Sequence, residues 1–80
     1  MSKYDPLYNY LKSYESTYIK LNFEDIERII SDKLPTSASK YRAWWANGGH
    51  IQANAWLEAG WKVQRVVLGE YVEFVKWEST

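Results

Sequence analysis

Four of the five tryptophans of this chain, Trp44, Trp45, Trp56 and Trp61, crowd into its middle. The whole chain has only 80 residues and no cysteine. A domain this short buries roughly 60% of the surface its unfolded chain exposes, so every large apolar side chain counts. Each buried aromatic removes roughly 150–250 Å² from water. Five Trp, seven Tyr and two Phe can therefore build a core that aliphatic residues alone would struggle to fill at this length. One domain spanning 1–80 follows, with order expected from about residue 4 to 77. Without cysteine there is neither a disulfide framework nor a thiolate zinc site.

The opening stretch MSKYDPLYNY has no apolar core of the kind a secretory signal needs, and apolar runs elsewhere are only a few residues long. The expectation is a cytoplasmic protein that does not enter a membrane. Net charge is zero, but it is unevenly spread. Residues 33–65 carry Lys33, Lys40, Arg42, Lys62 and Arg65 against Glu58 alone. Acidic residues dominate on both sides of that window: Asp5, Glu15, Glu24, Asp25, Glu27 and Asp32 before it, Glu70, Glu73 and Glu78 after it. Binding responds to local potential and not to the sum, so the basic centre is the informative feature.

Asp5-Pro6 reads as a helix start, with Asp5 as N-cap, and Leu7, Tyr10, Leu11 and Tyr14 mark one helical face. Thr17–Leu21 alternates and predicts a short strand. Asn22 caps a second helix, with Glu24 and Asp25 in its first turn and Phe23, Ile26, Ile29 and Ile30 as its buried stripe. After Leu34-Pro35 a third helix is expected over Thr36–Ala46, with Leu34, Ala38, Tyr41 and Trp45 inward. Asn47-Gly48-Gly49 stops it. A fourth is expected over His50–Ala59 with Ile51 and Ala55 inward, unless the two form one bent helix. Trp61–Val67 and Tyr71–Trp77 alternate around Leu68-Gly69-Glu70, the pattern of a β-hairpin. Its inner face would be Val63 or Val66 with Val72 and Phe74. The expected fold is α+β and winged-helix-like: a helical cluster on a small three-stranded antiparallel sheet with a C-terminal hairpin.

Catalysis has little to stand on. His50 is the one histidine, and Glu24-Asp25-Glu27 read as helix-terminal carboxylates. No catalytic residue, metal ligand, cofactor or small-molecule substrate is expected. The segment from Ser37 to Asn54 is the best functional candidate. On a continuous helix Ser37, Lys40, Trp44 and Asn47 share a face. Adjacent tryptophans lie about 100° apart, so Trp45 is expected inside and Trp44 partly open. In a nucleic-acid reading, Ser37, Ser39, Lys40 and Arg42 contact phosphates, Asn47, His50, Gln52 or Asn54 reach base edges, and the partly open Trp44 is a further contact. Lys62 and Arg65 make the hairpin a wing along the backbone. The plainer alternative is that Trp44, Trp45, Trp56 and Trp61 are core, the polar residues solvate the surface, and the hairpin charges protect sheet edges.

Leu34-Pro35-Thr36-Ser37-Ala38, Trp44-Trp45-Ala46-Asn47 and the series Ala55-Trp56 to Gly60-Trp61, with Phe23-Glu24-Asp25-Ile26-Glu27, resemble a small uncharacterised bacterial domain found alone or fused to nuclease-like modules. The resemblance covers nearly the whole chain. It implies a compact domain centred on the tryptophans, an association with DNA, and Ser37, Arg42, Asn47, His50 and Gln52 as candidate contacts. The first functional expectation is double-stranded DNA binding without catalysis. The alternative is a small phage- or plasmid-type regulator or inhibitor that grips a protein partner with an exposed Trp/Tyr face. A homodimer is left open.

Overall fold

The computed structural model describes residues 2–77. Helix α1 covers Asp5–Ser13, strand β1 Tyr18–Asn22 and helix α2 Phe23–Ile30. Helix α3 is Thr36–Lys40, followed by a 3₁₀ helix, Arg42–Trp45. Helix α4 is Ala53–Leu57, and β2 and β3 are Trp61–Val67 and Tyr71–Lys76. The fold is α+β, with an antiparallel sheet in the order β1-β3-β2 and β2–β3 as a C-terminal hairpin.

Local chemistry explains the elements that follow expectation. α1 starts one residue early, with Tyr4 rather than Asp5 at the N-cap, and buries Leu7 and Leu11. Tyr10, expected on the same face, is exposed. At the start of α2 the Asn22 backbone N–H donates to Asp25 Oδ2 at 3.0 Å, which satisfies one donor the helix itself cannot. The hairpin turns through Gly69, whose φ of 77° suits a residue without Cβ. A bulge lies between Val63 and Arg65. It places both Val63 and Val66, three residues apart, opposite the fully buried Phe74 and Val72. The choice between the two valines therefore resolves to both.

The middle of the chain departs from expectation. The helix over 36–46 does not run through. Tyr41 adopts extended dihedrals, φ −126° and ψ 122°, and splits it. A continued helix would give the Ala38 carbonyl to the Arg42 amide. Here it accepts from the indole Nε1–H of Trp45 at 2.8 Å. The break leaves Tyr41, expected inside, 61% exposed. The fourth helix starts at Ala53 and not His50, so the two helices are separate and shorter. Ile51, expected to face inward, sits in the preceding turn and is 72% exposed. It lies outside the stripe of Ala53, Ala55 and Trp56 that α4 buries.

The core is one cluster and largely aromatic. Rings connect from the N-terminus to the sheet. Tyr4 meets Trp44 edge-on at 5.9 Å, Trp44 meets Trp45 at 4.7 Å, Trp45 stacks on Trp56 at 5.8 Å, and Trp56 meets Phe74 at 5.8 Å. Trp61 donates its indole N–H to the Leu11 carbonyl at 2.9 Å, which pins β2 to the end of α1. Trp45, Trp56 and Trp61 are buried and Trp44 is half-buried, the division expected of them.

Candidate functional site

The residues expected to contact a ligand divide into three groups. Two are occupied in holding the fold. The side-chain amide of Asn47 makes three hydrogen bonds. Its Oδ1 accepts from Trp56 Nε1 at 3.0 Å and from the Val63 amide at 2.8 Å, and its Nδ2 donates to the Val63 carbonyl at 2.9 Å. Asn47 thus acts as a strand-like partner for β2 and satisfies the indole of a buried tryptophan. Gln52 is buried, and its Nε2 donates to the Trp44 carbonyl at 2.9 Å, closing the end of the 3₁₀ helix. Both amides are thus engaged within the fold.

A second group is exposed but scattered. Ser39 and Lys40 lie on α3, and the half-buried Ser37 accepts the Tyr41 amide through its carbonyl. His50 is exposed in the turn before α4. Asn54 borders a different groove, of about 540 Å³, with Tyr4, Tyr8, Ile51, Asp5 and Glu58. The shared face of Ser37, Lys40, Trp44 and Asn47 does not form, because the helix that would align them is interrupted at Tyr41.

The third group converges. The 3₁₀ helix packs against β2, and between them runs an open groove of about 360 Å³. Arg42, Trp45, Val63, Gln64, Arg65 and Val66 line it. No carboxylate lines it. Neither arginine belongs to an ion pair among the described residues, where the pairs are Lys3–Asp32 and Arg28–Asp25. Both guanidiniums keep their donors free for an incoming anion. Lys62 is exposed on the same strand. The bulge contributed Gln64 to this groove. Its signal in the sequence is the uneven spacing of Val63 and Val66.

Among the described residues no three His, Asp or Glu side chains gather into a group that could hold a metal ion. No described helix is long and apolar enough to cross a membrane.

The molecule is thus a small α+β domain with an aromatic core and an arginine-lined groove between its 3₁₀ helix and its hairpin. The family model described as a domain of unknown function, DUF7662, matches residues 4–78, and the chain belongs to that family. No curated protein and no solved structure matches it.

Proposed function

We propose that this domain binds double-stranded DNA without catalysing a reaction, in a winged-helix-like manner. The observation that carries the reading is the groove lined by both Arg42 and Arg65 and by no carboxylate. Arginines there would neutralise phosphates and release counterions, the main source of affinity for a duplex. The element order and the strand order β1-β3-β2 support the winged-helix comparison, with the hairpin as wing. Lys40 and Lys62, exposed beside the two arginines in sequence, extend the basic surface. Contact would be mostly to the backbone, since Asn47 and Gln52 are engaged and α3 has only five residues to offer a groove. The test is fluorescence anisotropy with a labelled duplex at low salt. The double variant Arg42→Glu, Arg65→Glu should lose binding at least tenfold, at about 1.4 kcal/mol per decade. Unchanged binding contradicts the reading.

A second reading, a small protein-binding regulator, draws on Ile51, which stands exposed at the groove it shares with Tyr4 and Tyr8. It predicts no salt-dependent duplex binding, and loss of the partner on Ile51→Glu.

A further inference from the structure

The helices cover one face of the sheet and leave the other open. Ile19, Leu21, Val72, Phe74 and Trp61 point into the core. Alternation places Tyr18, Lys20, Tyr71, Glu73, Val75, Lys62 and Arg65 on the far side. Two contacts support that placement. Tyr18 Oη donates to Glu73 Oε2 at 2.9 Å, and Lys20 Nζ lies 4.4 Å from the centre of the Tyr71 ring. Trp77 follows β3 and keeps its pairing, since its amide donates to the Gly60 carbonyl at 3.0 Å. The alternation therefore carries its indole outward, where it is 51% exposed, and Tyr18 is 44% exposed.

Tyr18 pairs with Val75, two residues before Trp77. The two rings are diagonal neighbours, roughly 7–8 Å apart at the backbone. Among the described residues, the ladder sets three cations and one carboxylate on this face. Glu73 is flanked across the strands by Lys20 on β1 and Arg65 on β2, and its Oε2 accepts the Tyr18 hydroxyl. Lys62, opposite Val75, has no carboxylate facing it across the ladder. Half-exposed aromatic rings on a sheet face beside described cations suit unstacked bases joined by phosphates. A duplex hides its base faces and has no use for such rings. An acidic peptide would use the cations but not the ring faces.

We propose that the open face of the sheet binds single-stranded nucleic acid, with bases stacked on Tyr18 and Trp77 and phosphates held by Lys20, Lys62 and Arg65. The site excludes Arg42 and shares only the cations of the edge strand β2, Lys62 and Arg65, with the duplex surface. The experiment measures anisotropy of a labelled oligothymidylate and of a labelled duplex with the full chain and two variants. Tyr18→Ala, Trp77→Ala should weaken single-strand binding about tenfold or more, because each stacked base depends on its ring. Duplex binding by this variant should stay as in wild type. Tyr18→Phe keeps the ring, loses the bond to Glu73, and should bind the single strand like wild type. Circular dichroism confirms that each variant is folded. The proposal is overturned if wild type does not bind oligothymidylate. It is equally overturned if the folded double variant binds as tightly as wild type, or if polyglutamate competes as well as the oligonucleotide. Loss of duplex binding on Arg42→Glu concerns the other groove alone.

Discussion

Asn47 looks from the sequence like a free amide on a turn, beside two glycines and a histidine. In the fold it joins three elements. Its Oδ1 takes the indole N–H of Trp56 and the Val63 amide, and its Nδ2 reaches the Val63 carbonyl. Trp56 is fully buried, so its N–H has no water to turn to if Asn47 is removed. Asn47→Ala should lower stability by about 2 kcal/mol in urea denaturation, the scale of a buried donor left unpaired plus lost bonds to the strand. Asn47→Asp keeps the acceptor but sets a carboxylate oxygen against the Val63 carbonyl, and should also destabilise. A surface asparagine with no structural part would shift the midpoint by less than about 0.5 kcal/mol. Trp45 is similarly committed, between Phe23, Trp44 and Trp56 with its N–H on Ala38. Trp45→Ala should cost about 3–5 kcal/mol, a large share of the whole stability of a domain this size.

At the scale of elements, the parts legible in advance obey local rules. The hairpin follows from period-two alternation around a glycine. α2 follows from an asparagine ahead of two carboxylates and an isoleucine stripe. Gly69→Ala tests the hairpin directly. A Cβ there meets no atom within 4 Å, so only the left-handed backbone is penalised, by about 1 kcal/mol. The break at Tyr41 was not legible. It depends on the Trp45 indole finding the Ala38 carbonyl and its ring stacking on Trp56, contacts that helix periodicity does not encode. The late start of α4 is a matter of turn geometry: Gln52 has helical dihedrals, but the amides of Ala53, Asn54 and Ala55 reach back only three residues, to the carbonyls of His50, Ile51 and Gln52. The β1–β3 pair offers a pH test. The Glu73 carboxylate, by accepting the Tyr18 hydroxyl, raises the Tyr18 phenol above 10.0. A phenol raised on folding contributes stability that is complete below the unfolded value and lost as pH rises through the folded one. The stability difference between wild type and Tyr18→Phe should therefore persist through neutral pH and vanish at strongly alkaline pH, read by denaturation at a series of pH values.

The basic window seen in the sequence is real in space only in part: Arg42 and Arg65, 23 positions apart, line one groove, and Ser39, His50 and Asn54 do not line it. That convergence depends on the 3₁₀ helix packing against β2, which no spacing rule predicts. The polar residues that looked best suited to reading bases, Asn47 and Gln52, serve the fold, so affinity without much sequence preference is the expected behaviour. The most direct test is the salt dependence of duplex binding by the wild-type chain. Two arginines, with Lys40 and Lys62 beside them, predict that log affinity falls against log salt with a slope of about −2 to −4. Arg42→Glu should flatten that slope. Affinity that stays level as salt rises, or no duplex binding at low salt, would contradict the proposed DNA-binding function.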